Sequence, residues 1–65
     1  MAERWQKSDW FPDVHYYGDG SVGCLEKISG VWIWHWFERG VNGVTFGSSL
    51  REAKICAAAL VELEG

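Results

Sequence analysis

Seven consecutive residues, Val31-Trp32-Ile33-Trp34-His35-Trp36-Phe37, constrain this chain more than any other stretch. β-branched and aromatic side chains fill the run, which predicts a central strand. Successive side chains of a strand point to opposite faces. Val31, Ile33, His35 and Phe37 therefore share one face, and Trp32, Trp34 and Trp36 the other. A strand at a wet surface alternates apolar with polar; this one is apolar on both sides. Each face needs a cover or a partner.

Little chain is left to supply those covers. At 65 residues the molecule is one expected domain, 1–65, near the lower limit for folding without a disulfide or a metal. An apolar fraction of 48% excludes a disordered tail, and five Trp, three Phe and two Tyr give bulk to a small core. No apolar run approaches the ~20 residues of a membrane-spanning helix. Met1 to Lys7 has no signal-peptide stretch, so Cys24 and Cys56 are expected as thiols in the cytosol. The net charge of −3 points away from a protein whose affinity comes from phosphate contacts.

Along the chain, residues 1–12 read as an arm, a short helical turn or irregular segment folded over the sheet through Trp5, Trp10 and Phe11. Pro12 holds Phe11 extended. Residues 13–47 read as three or four antiparallel strands. Val14–Tyr17 comes first, and Gly18-Asp19-Gly20 is a tight-turn signal. Val22–Ile28 follows, turning at Ser29-Gly30 into the Trp strand. A loop over Arg39–Gly43, with turns at Arg39-Gly40 or Asn42-Gly43, leads to Val44-Thr45-Phe46. Residues 49–64 read as a helix. Ser49-Leu50-Arg51-Glu52 is a capping box, and Ala53 to Glu64 holds four Ala and neither Gly nor Pro. Leu50, Ala53, Cys56, Ala57, Leu60, Val61 and Leu63 form its apolar stripe, with Ile55, Ala58 and Ala59 on the outer side. The expected fold class is thus α+β: an antiparallel sheet with one C-terminal helix on one face and an N-terminal arm.

Turns in the Arg39–Gly43 loop pair odd positions of the Trp strand with even positions of the last strand. Val44 and Phe46 then join Val31, Ile33, His35 and Phe37, with Val22, Cys24 and Ile28 beside them. That set is the expected core beneath the helix. Trp32, Trp34 and Trp36 fall among Gly23, Leu25, Lys27, Gly43, Thr45 and Gly47, where rings can lie across glycines. Their expected cover is the arm; the alternative leaves that face partly open as a binding platform.

Chemistry-bearing groups are few. With two-residue turns at Asp19-Gly20 and Ser29-Gly30, His15, Cys24 and His35 form one row beneath Cys56. Tetrahedral zinc takes such ligands, but the usual Cys-x-x-Cys or His-x₃-His spacing is missing, and buried thiols with a core histidine are the expected reading. No metal or cofactor is expected. A Cys beside a His is the minimum of a thiol enzyme, yet no activating base adjoins either Cys, so no catalysis is expected. Stacked aromatics suit single-stranded nucleic acid, but Arg4, Lys7, Lys27, Arg39, Arg51 and Lys54 are scattered. Direct nucleic-acid binding on an open Trp face stays an alternative. Asp9, Asp13, Asp19, Glu26 and Glu38 lie in the arm, turns and strand ends. Together with Trp10 and Tyr16 as anchors, they suit docking onto a basic protein.

The run Gly47-Ser48-Ser49-Leu50-Arg51-Glu52-Ala53-Lys54, set after a Trp-rich hairpin, resembles the strand-to-helix junction of many small phage and prophage proteins. In size and acidity the chain resembles the small anti-CRISPR proteins, in particular those acting on type I-C surveillance complexes. That resemblance implies a non-enzymatic, monomeric inhibitor in the bacterial cytoplasm. It would bind a basic, DNA-recognising Cas subunit, as a DNA mimic, and block target access. Gly47 to Ala53 also resembles the corresponding run of HicB-like antitoxins, which implies neutralisation of a small RNase toxin.

Overall fold

The structure, a computed structural model, describes residues 4–37 and 43–64. Five strands, β1 (Trp5–Lys7), β2 (Val14–Tyr17), β3 (Gly23–Ile28), β4 (Val31–Trp36) and β5 (Val44–Thr45), precede one helix, α1 (Leu50–Glu64). They form a single antiparallel sheet in the order β1-β2-β3-β4-β5, so every strand lies beside its neighbours in sequence. The α+β class and the C-terminal helix are those the sequence predicts. Part of the arm goes further than expected: Trp5 pairs with Tyr17 and Lys7 with His15, making an edge strand. None of the described helices is long and apolar enough to cross a membrane.

The β3–β4 hairpin has the expected two-residue turn. Ser29 and Gly30 take φ of 53° and 82°, both in the left-handed region of a type I′ turn, and Ile28 pairs with Val31. The β2–β3 connection is longer than a two-residue turn. Tyr16 pairs with Cys24, and Asp19 Oδ1 accepts from the Ser21 amide at 2.9 Å and its hydroxyl at 2.6 Å. At the helix start the Ser49 hydroxyl accepts from the Glu52 amide at 3.4 Å, one half of the predicted capping box in a long form.

The helix covers the opposite face of the sheet from the one the sequence reading gave it. Trp34 and Leu25 are fully buried, and Trp32 is nearly so, in a cluster with Tyr17, Ala53, Ala57 and Val61. Opposite residues on paired strands share a face. Trp34 pairs with Val44, and the Phe46 amide donates to the Trp32 carbonyl at 2.8 Å, so even positions meet even positions. Val44 and Phe46 thereby stand on the Trp side. The turns proposed for the preceding loop lie on residues 39–43, most of them outside the described residues; a loop one residue different in length reverses the parity.

Side-chain volumes explain why this face takes the helix. Rings crowd the sheet, and the helix meets them with alanines. Ala53 and Ala57 are fully buried, which lets the helix backbone come close above Trp34. Around Trp34 the rings stand edge to face: Trp5 at 5.9 Å and 89°, Trp36 at 5.3 Å and 87°, Tyr17 at 6.4 Å and 88°. Glycine supplies the remaining room, since a Cβ on Gly23 would lie 2.6 Å from Trp34 Cζ2. The buried stripe accordingly runs through Leu50, Ala53, Ala57, Leu60 and Val61 and takes in Ala58, expected on the outer side, while Cys56 and Leu63, expected within it, are exposed.

Candidate functional site: the uncovered sheet face

With the helix on the Trp side, the odd positions of β4 are left on the other. Val31, Ile33 and His35 share that face with Val14, Tyr16, Cys24, Glu26, Ile28 and Thr45 through the register of the strands. Among the described residues no helix or strand lies over it. Phe37 and Ile28 are 47% and 43% exposed, and Tyr16, Val31, Ile33 and His35 are half-buried. The Tyr16 and Phe37 rings sit 6.2 Å apart at a tilt of 48°, forming one aromatic patch.

Polar groups on this face are sparse. His35 Nε2 lies 3.3 Å from Glu26 Oε1, off the line of a hydrogen bond, and pairs with it as an ion when the imidazole is protonated. Cys24 stands opposite His35, and burial first, then the Glu26 carboxylate, raises its thiol pKa. A thiol held protonated is a poor nucleophile. The zinc row considered from sequence does not form: His15 pairs with Leu25 and meets the Trp32 ring on the helix side, away from Cys24 and His35. Among the described residues no three His, Cys, Asp or Glu are grouped to hold a metal ion.

The seven residues singled out from sequence are separated rather than clustered. Tyr16 and Glu26 lie on the uncovered face itself. Asp9, Trp10 and Asp13 belong to the β1–β2 loop at one end of the sheet; Asp19 is in the β2–β3 turn at the other, and all four are exposed. β2 separates these ends by roughly 10 Å. Glu38 lies outside the described residues. Hydrogen bonds from Ser21, the side chain before the backbone, hold the Asp19 carboxyl below its ordinary pKa.

Trp10 does not close over the Trp strand. It is 87% exposed, with Phe11 at 60%, whereas Trp5 packs against Tyr17 at 5.1 Å. The loop holding the two exposed rings is nonetheless tied down. Ser8 is buried; its amide donates to the Val14 carbonyl at 2.9 Å, and its hydroxyl accepts from the Trp10 and Phe11 amides, both at 3.1 Å. Sequence reasoning missed Ser8, although Ser followed by Asp and, four residues on, Pro is a turn signal.

Charge is divided between the two sides of the sheet. Lys7 and Lys27 occupy positions paired with His15 and Trp32, so both project on the helix side. Arg4 donates to the Tyr17 hydroxyl at 3.1 Å and to Glu62, bonds that hold its pKa above the ordinary value. Arg51 and Lys54 are on the helix. Among the described residues, then, no Lys or Arg stands on the uncovered face. Asp13 has a base opposite it, its carbonyl accepting from the Lys27 amide at 3.1 Å. Protein-family models, curated proteins and solved structures searched with this chain gave no match.

Proposed function

We propose that this protein is a non-enzymatic inhibitor that docks its uncovered sheet face onto a basic, nucleic-acid-binding protein. The partner we favour is the DNA-recognising subunit of a CRISPR surveillance complex in the bacterial cytoplasm, whose access to target DNA the bound domain would block. The observation that carries this reading is the division of the molecule: an apolar, aromatic face containing Glu26 and no described base, with acids at both ends. Such a face supplies anchors and a sign of charge together. Aromatic side chains make the strong contacts of interfaces, and carboxylates steer encounter with a cationic surface. Trp10 fits as an additional anchor, because Ser8 fixes its loop before binding and so lowers the entropy lost on contact. Single-stranded nucleic acid is less well served, since the helix buries Trp32 and Trp34 and the acids would repel phosphate.

The test uses the purified surveillance complex and its DNA target in a mobility-shift competition. Asp9→Asn, Asp19→Asn and Glu26→Gln combined should raise the concentration needed to displace DNA at least tenfold at low salt. The melting temperature should change little, since none of the three is buried. Displacement unchanged by the triple variant would remove the electrostatic part of the proposal. Failure of the wild-type chain to displace DNA, with tight binding to a small RNase toxin instead, would replace the partner.

A further inference from the structure

The outer edge of β1 is a second surface, and the docking reading makes no use of it. The strand order pairs β1 on one edge only, and among the described residues nothing pairs with the other. Which backbone groups face outward follows from the bonds already formed. The Arg4 carbonyl accepts from the Gly18 amide at 2.6 Å, and the Ser8 amide donates to the Val14 carbonyl at 2.9 Å. Antiparallel pairs alternate between bonded and non-bonded, so Gln6 and Tyr16 are the bonded pair between them. The N–H and C=O groups of Trp5 and Lys7 are therefore turned away from β2, in a row spaced for an extended chain.

Beside that row is a groove. The helix packs over β3 and β4, and between its flank and β1 lies an open space of about 400 Å³ walled by Trp5, Ile55 and Ala58. Arg4, Arg51 and Lys54 complete a lining that is almost wholly apolar, to which their aliphatic stems contribute. Arg4 is already held by Glu62 and the Tyr17 hydroxyl. The groove thus suits an apolar side chain, and the edge suits a peptide backbone.

We propose that the open edge of β1 takes up an extended peptide segment of a partner protein as a further antiparallel strand, with an apolar side chain seated in the groove and an acidic one beside Lys7. Main-chain bonds give such an added strand its affinity, and pockets for alternate side chains give it specificity. Trp5 and Lys7 both project on the helix side, so the residues opposite them in the new strand share that side and stand two apart. The apolar residue opposite Trp5 would cover Ile55, now 63% exposed. Lys7 is exposed and among the described residues forms no ion pair, so an acid opposite it sets the register. A second copy of β1 fits worse, because it would bring Lys7 and Arg51 of both copies to one seam, like charge against like.

The test titrates isotope-labelled protein with the end-blocked peptide Thr-Glu-Thr-Leu-Thr, whose order matches an antiparallel strand. The Trp5 and Lys7 amides should shift most, together with the Trp5 indole and the Ile55 methyl groups. At saturation the exchange of those two amides with solvent should slow severalfold. Methylating the leucine nitrogen, which would face β1, should weaken binding at least tenfold; methylating the central threonine nitrogen, which would face away, should change it little. Asparagine in place of the leucine should also weaken binding at least tenfold. Lys7→Glu should reverse the preference between the glutamate peptide and its lysine counterpart, and Ile55→Glu should weaken binding severalfold. Equal binding of the leucine-methylated peptide, shifts centred on Tyr16 and Phe37, no shifts at millimolar peptide, or indifference to Ile55→Glu would each overturn it.

Discussion

The two faces of β4 carry side chains of similar hydrophobicity and meet opposite fates. On one, Trp32 and Trp34 lie beneath a helix whose fully buried residues are Ala53 and Ala57, and four rings lock edge to face. On the other, Val31, Ile33 and Phe37 have no described layer above them. Hydrophobicity alone does not choose between the faces. Volume does: a helix lined by Ala53 and Ala57 can approach large rings without leaving voids, and the same helix over Val31 and Ile33 would leave small side chains facing small ones. On the proposed function the other face is what a partner would meet, and its lack of described basic side chains gives it a sign.

The sharpest way to break this comparison is to empty the covered face. Trp34→Ala should cost about 3–5 kcal/mol, close to the entire stability of a domain this small. Far-ultraviolet circular dichroism should show a largely unfolded chain at 25 °C. A cooperative thermal transition near that of wild type would show that Trp34 is not the centre of the core. On the uncovered face the expected effect is smaller and of a different kind. Phe37→Ser should shift stability by less than about 1 kcal/mol, because the ring is already half in water. It should nevertheless weaken partner binding severalfold in the competition assay, and equal binding would detach Phe37 from the interface.

The smallest effect concerns Asp19, and its sign follows from linkage. Its folded-state pKa is lowered by the Ser21 bonds, so the stabilisation is present above the unfolded-state pKa, roughly 3.9. It is lost as pH falls through the lower folded value. Asp19→Asn should therefore flatten the acid limb of a stability-against-pH curve and lower stability slightly at neutral pH. An unchanged acid limb would mean that the turn does not hold the carboxylate in solution.

Much of this architecture is legible in the sequence because it is local. The Ser49 cap, the alanine-rich helix and the Ser29-Gly30 turn each follow from residues within a few positions of one another. The face assignment is not local. It depends on the parity of the loop before Val44, where one residue more or less exchanges the covered and uncovered sets. A compensating signal was present in Ala53 and Ala57, since small residues one turn apart on a helix imply something large opposite. Trp5 and Trp10 look alike in composition; what separates them is Lys7, which continues a strand, and Ser8, which starts a turn. The division of charge depends on that same register, and so the candidate site was legible only as a list of five acids with Trp10 and Tyr16, of which Tyr16 and Glu26 share the face opposite the helix.

Hydroxyl-radical footprinting, resolved to individual residues by mass spectrometry, tests the central assignment of the two faces in one experiment. Trp10, Phe11 and Phe37 should be modified rapidly in the native protein, with Trp32 and Trp34 protected until denaturant unfolds the chain. Native-state modification of Trp32 and Trp34 as fast as Trp10, with Phe37 protected, would place the helix on the other side of the sheet and contradict the account.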